Sequence, residues 1–167
     1  MRTIESKILT RTAMQAECER LRKAGKKIVF TNGSFDLLHD GHVTYLQFAR
    51  EQGDLLIVGL NSDASVRRYK GPQRPILEEQ HRARMLAALQ MVDYVCIFDE
   101  DEPRDLIAAL QPDVLVKAED WAHYVSGRDV VEARGGKVVL AKMVAGLSTS
   151  ELIRRVVAAY GDGRPEK

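Results

Sequence analysis

Short apolar runs alternate with longer segments whose apolar residues recur at helical spacing along most of the chain. The apolar runs are rich in Val, Ile and Leu and alternate little with polar residues, which is typical of parallel strands covered on both faces. Strands are predicted at Lys27–Thr31, Leu55–Leu60, Tyr94–Phe98, Val114–Lys117 and Val138–Ala141. Helices are predicted at about 11–24, 42–52, 78–91, 103–110, 127–134 and 149–159.

This order of elements predicts one α/β domain over residues 1–160, with a doubly wound (Rossmann-like) five-stranded parallel sheet flanked by helices. A chain of 167 residues can bury such a core without metal or disulfide links. The polar segment 161–167 is predicted to be a flexible tail. Ligands of such sheets bind at the carboxyl ends of the strands, so we expect the segments that follow the strands to carry the function.

The composition of the chain argues against a nucleic-acid-binding protein, a membrane protein and a cysteine-bound metal site. The 25 Lys and Arg residues against 24 Asp and Glu give a formal net charge of +1, so a nucleic-acid partner is not expected. The sequence has neither a signal-peptide core nor an apolar run of membrane-spanning length, which predicts a cytoplasmic protein without a membrane partner. Cys18 and Cys96 lack the spacing of metal ligands and are interpreted as free buried thiols.

The segment after the first predicted strand carries the strongest chemical signal. It places His39 and His42 on one turn, with Gly33 and Gly41 allowing the backbone to turn sharply and approach a ligand. The next helix begins near His42, so its free amides and positive dipole end face the same space. Two imidazole N–H donors there would stabilise the negative charge of a phosphate chain. The alternative interpretation is a helix cap and an exposed side chain.

Basic residues follow the second predicted strand. Lys70 and Arg74 lie in a stretch rich in Gly and Pro, which predicts either a mobile loop that closes over phosphates or a solvated basic face. Arg82 and Arg84 start the next helix, and residues this close on a helix point in different directions. One of them is expected to face the site, but the spacing alone does not choose between them.

Three smaller signals complete the pattern. Asp36 either holds the turn by accepting backbone N–H bonds or takes part in binding metal or substrate, and Ser34 is either a turn residue or a phosphate contact. Ser148 is a candidate N-cap of the last helix, with Glu151 completing a capping box. The same amides, with the hydroxyls of Ser148 and Thr149, would also hold a β- or γ-phosphate.

At these residues the chain, from about 8 to 157, resembles the D-glycero-β-D-manno-heptose 1-phosphate adenylyltransferases of the HxGH nucleotidyltransferase superfamily. HxGH alone indicates only a nucleotidyltransferase, whereas the Asn-Ser-Asp-Ala-Ser and Lys-Gly-x-x-Arg-Pro pieces are typical of the heptose group. The matching segments are Thr31–His42, Asn61–Val66, Lys70–Gly71 with Arg74–Pro75, Arg82 before Leu86–Leu89, Val116–Trp121 and Leu147–Ser150.

The resemblance implies a stand-alone, homodimeric enzyme that transfers AMP from ATP to the heptose 1-phosphate and releases pyrophosphate. Mg²⁺ is expected to accompany ATP, without dedicated side-chain ligands. Catalytic roles are implied for His39, His42, Lys70 and Arg82. Nucleotide binding is implied for Thr31, Asn32, Gly33, Ser34, Phe35, Gly41, Lys117, Glu119, Asp120, Ser148 and Thr149, and substrate binding for Asp36, Asn61, Asp63 and Arg74.

Two segments depart from the family pattern. Lys-Gly-Gly-Asp is common after the fourth strand, whereas this chain has Lys117-Ala118-Glu119-Asp120-Trp121, whose last three residues resemble the glycerol-3-phosphate cytidylyltransferases. Ser-Thr-Thr in the last helix is Ser148-Thr149-Ser150. A CTP-dependent glycerol-3-phosphate-type cytidylyltransferase is therefore the first alternative. A non-catalytic nucleotide-binding module is the second, and it is disfavoured because the histidines, Lys70 and Arg82 are all present.

Overall fold

The computed structural model describes residues 2–144 and 146–161. Its strands are Ile28–Gly33 (β1), Leu55–Asn61 (β2), Tyr94–Phe98 (β3), Val114–Ala118 (β4) and Lys137–Ala141 (β5). They form one sheet in the order β3-β2-β1-β4-β5, in which every neighbouring pair is parallel. The predicted five-stranded parallel, Rossmann-like sheet is confirmed. Most of the tail predicted at 161–167 lies outside the described residues.

Among the described residues, seven α-helices connect and flank the strands. They are Arg11–Lys23 (α1), Asp40–Arg50 (α2), Asp63–Lys70 (α3), Glu79–Ala88 (α4), Arg104–Leu110 (α5), Arg128–Glu132 (α6) and Thr149–Tyr160 (α7). Short 3-10 turns lie at Glu5–Lys7 and Glu119–Trp121. Helix α3 was not predicted, because polar residues and the Gly/Pro-rich stretch after it obscured its pattern. Its signal was Ser62, which caps the helix by accepting a bond from Ser65 N at 3.0 Å.

The core lies on both faces of the sheet, as the apolar runs predicted. Residues Leu55–Asn61 of β2 are all buried, because α1 and the neighbouring elements cover one face while α2 and α4 cover the other. Cys18 and Cys96 are free and buried, which confirms their interpretation. Burial raises the pKa of the Cys18 thiol to about 12 and that of Cys96 to about 11, so both stay protonated and act as apolar core residues.

The order of strands reverses at β1, which lies between β2 and β4. At such a switch point the loops after the strands separate to opposite sides and leave a crevice at the carboxyl ends. The segments that follow β1, β2 and β4 therefore meet at one edge of the molecule, where the polar residues singled out from the sequence lie. No helix within 2–144 and 146–161 is long and apolar enough to cross a membrane.

Candidate active site

Two histidine side chains form the centre of this crevice. His39 is the N-cap of α2, and His42 lies in the first turn, where its N–H donates to the carbonyl oxygen of His39 at 2.9 Å. The two rings stack, with centroids 3.8 Å apart and planes 22° apart. A Cβ on Gly41 would lie 3.0 Å from His39 Nδ1, a tight contact that would displace the ring slightly, so glycine favours this packing. The turn therefore fixes the two imidazoles side by side.

Both histidines are neutral at pH 7. Burial lowers the pKa of His42 to about 4, with the charge of Lys70 and, in acid, protonation of His39 acting in the same direction, and burial also lowers the pKa of His39. Neither Nδ1 atom has a hydrogen-bond partner in the part of the chain that the structure describes, although both are buried. A neutral imidazole carries one N–H donor, and buried polar atoms in proteins normally have a partner. Each imidazole therefore has a ring nitrogen whose hydrogen-bonding capacity the described part of the chain leaves unused.

Lys70, the last residue of α3, approaches the same region. Its Nζ donates to Ser34 Oγ at 2.9 Å, and no carboxylate among the described residues lies within ion-pair distance of it. Partial burial lowers the pKa of Lys70, and the positive charge of Arg74 acts in the same direction. An ammonium group with a hydroxyl partner and no carboxylate can exchange that hydroxyl for a phosphate oxygen.

The sequence left open whether Arg82 or Arg84 faces the site, and in the structure it is Arg82. Arg84 lies on the surface and pairs with Glu5. The side chain of Arg82 is fully buried. It donates from Nε to Leu77 O at 2.9 Å, from Nη1 to Ser34 O at 2.6 Å and Asn61 O at 2.9 Å, and from Nη2 to Asp63 Oδ1 at 2.7 Å. These bonds link four segments that surround the crevice.

Asp36 faces away from solvent and binds the loop before α4. Its carboxylate accepts from Arg74 Nε at 2.7 Å, from Ile76 N at 2.9 Å and from Leu77 N at 3.0 Å. Burial acts to raise the pKa of Asp36, but the two amides and Arg74 outweigh it and hold the pKa below its ordinary value. Asp36 accepts backbone N–H bonds, as one of the two interpretations expected, but from the loop at 76–77 and not from its own turn. Arg74 keeps a buried Nη2 without a partner in the described ranges.

Two residues expected to bind substrate make internal contacts. Asn61 is buried and donates from Nδ2 to Ser65 Oγ at 3.0 Å. Asp63 pairs with Arg82 through its carboxylate, and its N–H donates to Glu79 Oε2 at 2.7 Å. Both lie at the carboxyl end of β2, as predicted, and both fix the start of α3.

A second polar cluster lies at the carboxyl ends of β1 and β4. Lys117 Nζ donates to Asn32 Oδ1 at 3.1 Å, and burial lowers the pKa of Lys117 to about 8. Thr31 Oγ1 lies 2.6 Å from the hydroxyl of Tyr45 and donates to Val116 O at 3.0 Å. Tyr45 was missed by sequence reasoning, although its spacing from His42 places both on one side of α2.

The remaining predicted residues lie around these two clusters. The Phe35 ring is 5.2 Å from that of His42, and a Cβ on Gly33 would lie 3.1 Å from the Phe35 ring. Glu119 and Asp120 lie on the exposed 3-10 turn after β4, where Glu119 accepts a bond from Met143 N at 3.4 Å.

Helix α7 begins beside the histidine turn. A Cβ on Gly41 would lie 3.4 Å from the Cβ of Leu147, the residue before the N-cap. Ser148 caps the helix by accepting from Glu151 N at 3.1 Å, and Thr149 is buried. The side chain of Glu151 pairs with Arg154 and Arg155 instead of returning to the cap, so one of the two capping-box bonds forms. Leu147, directly before the cap, therefore lies beside the histidine turn.

The fold and this two-histidine turn are those of a nucleotidyltransferase. The chain belongs to the cytidylyltransferase-like family, whose model matches residues 30–155. It is 54% identical over 160 residues to the bifunctional protein HldE of Syntrophotalea carbinolica, covering 95% of this chain and 33% of that protein. It is 57% identical over 147 residues to HldE of Geobacter metallireducens, covering 87% and 30% respectively. The chain spans about a third of the length of these relatives.

Solved structures agree with the fold. A lipopolysaccharide core biosynthesis protein from Thermoplasma volcanium GSS1 is 27% identical, with a TM-score of 0.58 over 72% of this chain and 98% of that one. The pantoate-beta-alanine ligase from Francisella tularensis has a TM-score of 0.64 over 93% of this chain and 75% of that one. At 15% identity, the second likeness shows the fold alone.

Proposed function

We propose that this chain transfers AMP from ATP to D-glycero-β-D-manno-heptose 1-phosphate, giving ADP-heptose and pyrophosphate for lipopolysaccharide or cell-surface glycan precursors. The observation that carries the chemistry is the stacked, neutral pair His39 and His42, whose buried Nδ1 atoms lack partners in the described chain. The choice of substrates is supported by the heptose-group sequence motifs and by the similarity to HldE over almost all of this chain.

In the proposed reaction an oxygen of the sugar phosphate attacks the α-phosphorus of ATP in line. The new bond joins that oxygen to the α-phosphorus, and the bond from the α-phosphorus to the bridging oxygen breaks as pyrophosphate leaves. A phosphate monoester is already a competent nucleophile near neutral pH, so no general base is needed. Catalysis then consists mainly of alignment and stabilisation of the charge that develops on the α-phosphoryl oxygens, to which the imidazoles donate.

The surrounding side chains have separate roles in this proposal. Lys70 replaces its bond to Ser34 with one to a phosphate oxygen. The amides and hydroxyls of Ser148 and Thr149, at the start of α7, hold the outer phosphates of ATP. Lys117 and Asn32 line the nucleotide side of the crevice. Arg82 contributes by fixing the backbone of Ser34 and Leu77, since four of its donor bonds are already made to the protein.

Mg²⁺ is proposed to enter with ATP. The carboxylates of Asp36 and Asp63 are each paired with an arginine, and the described residues hold no group of three or more His, Cys, Asp or Glu side chains arranged to bind a metal ion. This donor set fits a cation held mainly by triphosphate oxygens and water, which is the usual state of protein-bound Mg²⁺. The cation supplies neutralisation of the triphosphate charge.

We also propose that the enzyme is a cytoplasmic homodimer. Helix α7 offers apolar surface to a second subunit, because Val156, Val157 and Tyr160 are more than half exposed and lie on one side of the helix. Light scattering on the purified protein measures the mass directly.

The alternative reaction, transfer of CMP from CTP to glycerol 3-phosphate, is favoured by one feature. Trp121 follows Glu119 and Asp120 at the carboxyl end of β4, and Lys117 Nζ lies 5.5 Å from the centre of its ring. Product identification separates the two. Wild-type protein with Mg²⁺, ATP and the heptose 1-phosphate should give a nucleotide sugar with the mass of ADP-heptose, and the His39→Ala/His42→Ala double variant should give almost none. Absence of that product from folded wild-type protein would reject the proposed function.

A further inference from the structure

The turn at 34–36 and the loop at 71–77 are joined by a buried polar clamp. The Asp36 side chain is 0% exposed and reaches 40 residues along the chain to the amides of Ile76 and Leu77. Leu77 is held at both ends of its backbone, because Asp36 accepts from its N–H and Arg82 donates to its carbonyl oxygen. The clamp fixes the position of the loop relative to the histidine turn.

The Asp36 carboxylate has little capacity left for a ligand. Oδ1 accepts from the amides of Ile76 and Leu77, and Oδ2 accepts from Arg74 and from the amide of Ile76. A fully buried carboxylate with four such contacts would need to break one of them, without gaining water, in order to bind substrate or metal. The contacts therefore favour a role that Asp36 exercises through the loop.

The loop carries or adjoins two cationic groups of the site. Lys70 directly precedes it and contacts Ser34 Oγ, two residues from Asp36. Arg74 lies within the loop; its Nε is held by Asp36, and its Nη2 is buried without a partner in the described ranges. Asp36 thus determines the direction of one guanidinium and the attachment of the segment that follows Lys70.

We propose that Asp36 is a positioning residue, which clamps the 71–77 loop so that Lys70 and Arg74 are presented to the phosphate of the acceptor substrate. The identity of that phosphate as a sugar phosphate rests on the proposed function, whereas the clamp itself does not. Asp36→Asn is the informative change, because it keeps the size of the side chain and one acceptor oxygen but removes the charge that pairs with Arg74.

Limited trypsin digestion tests the clamp without any substrate. Trypsin cuts after Lys70 but not between Arg74 and Pro75, so mass spectrometry of the Lys70–Gly71 cut reports release of the loop. Asp36→Asn should raise the rate of this cut about tenfold or more, the effect of losing one hydrogen bond to a charged group. Asp105→Asn, the same chemical change on an exposed position of α5, should leave it unchanged. Equal rates in wild type and Asp36→Asn would overturn the proposal.

Arg74→Gln keeps the test decisive where Asp36→Asn fails to fold. This variant removes the side-chain half of the clamp and leaves the Asp36 bonds to the amides of Ile76 and Leu77. It should give a smaller increase in the Lys70–Gly71 cut than Asp36→Asn. The double variant should add little to Asp36→Asn alone, because both changes break one connected unit. No increase in Arg74→Gln, in protein with a wild-type circular dichroism spectrum, would also overturn the proposal.

Kinetics separate positioning from loss of folded protein. At saturating ATP, Asp36→Asn should raise KM for the acceptor about 10- to 100-fold, while Kd for ATP, from calorimetry without acceptor, changes less than about threefold. A purely structural defect would lower kcat in proportion to folded protein and leave KM unchanged, and that result would contradict the positioning role. If wild-type protein turns over none of the acceptors, the proposed function fails, and the trypsin measurement still decides whether the clamp exists.

Discussion

The imidazole rings of His39 and His42 lie face to face with their centroids 3.8 Å apart. Two charged rings at this distance would repel each other, and burial lowers the pKa of each, so the pair is neutral in the free protein at pH 7. A phosphate chain between the rings and the start of α7 would bring the opposite charge into the same space. The arrangement therefore suits a site that gains stabilisation as negative charge develops.

Removing either ring should slow the chemical step. His39→Ala and His42→Ala are each expected to lower kcat by roughly 10²–10³, the loss typical of one preorganised donor to a developing oxyanion. Steady-state pyrophosphate release measures this, with His81→Ala on the exposed side of α4 as the matched control. Turnover close to that of wild type in both site variants would contradict the assigned role.

The neutral state of His42 should make stability depend on pH. Its pKa is lowered to about 4 in the folded protein from an ordinary value of 6.5, so below about pH 6 the unfolded chain takes up a proton that the folded protein refuses. The free energy of unfolding of wild type should therefore fall, relative to His42→Gln, by roughly 2–3 kcal/mol between pH 7 and about pH 4.5. Urea titrations of both proteins measure the difference, and a constant difference between the two pH values would show that His42 titrates normally.

The lowered pKa of Lys117 leads us to expect weaker ATP binding at pH 9 than at pH 7. Burial lowers its pKa to about 8, so its positive charge is present at pH 7 and largely lost at pH 9. Calorimetric Kd values for ATP should rise between these pH values, by up to about tenfold for loss of one charged contact. Lys117→Gln should bind ATP more weakly at pH 7 and show little of this pH dependence. An equal alkaline loss in the variant would assign the effect to another group.

Arg82 and Arg84 form a natural pair for testing stability. Arg82 is buried and holds four acceptors, whereas Arg84 is more than half exposed in an ion pair with Glu5. Arg82→Met should lower the free energy of unfolding by about 3–5 kcal/mol, because it leaves Asp63 and three carbonyl groups without their partner. Arg84→Met should cost less than about 1 kcal/mol. Similar urea midpoints for the two variants would show that the Arg82 network contributes little.

Local sequence patterns were sufficient to predict the strands of the sheet and the position of the histidine turn. The predicted strands match the observed ones within two residues, because each apolar run is bounded by polar or glycine residues. The position of His39 and His42 at the start of α2 follows from the strand–turn–helix order alone. The strands and the position of the two histidines are determined by residues close together in the chain, so the sequence alone was enough to predict them.

The hydrogen-bond network of the site joins residues that are distant in the chain. The partners of Asp36 are about 40 residues away, so its turn-holding and ligand-binding interpretations could not be separated without the packing of the 71–77 loop. The inward direction of Arg82 is set by how α4 packs on the sheet. Tyr45 was missed because its partners, Thr31 and Val116, come from two strands that meet only in the folded sheet.

Pyrophosphate release with each nucleotide and each acceptor tests the central claim most directly. Purified protein with Mg²⁺ would receive ATP or CTP, each paired with D-glycero-β-D-manno-heptose 1-phosphate or glycerol 3-phosphate, and kcat/KM would be compared across the four pairs. We predict the highest value for ATP with the heptose 1-phosphate, by at least about tenfold. Turnover confined to CTP with glycerol 3-phosphate would contradict the proposed substrates and would mean that the segment Glu119–Trp121, rather than the Lys70–Pro75 segment, indicates the reaction.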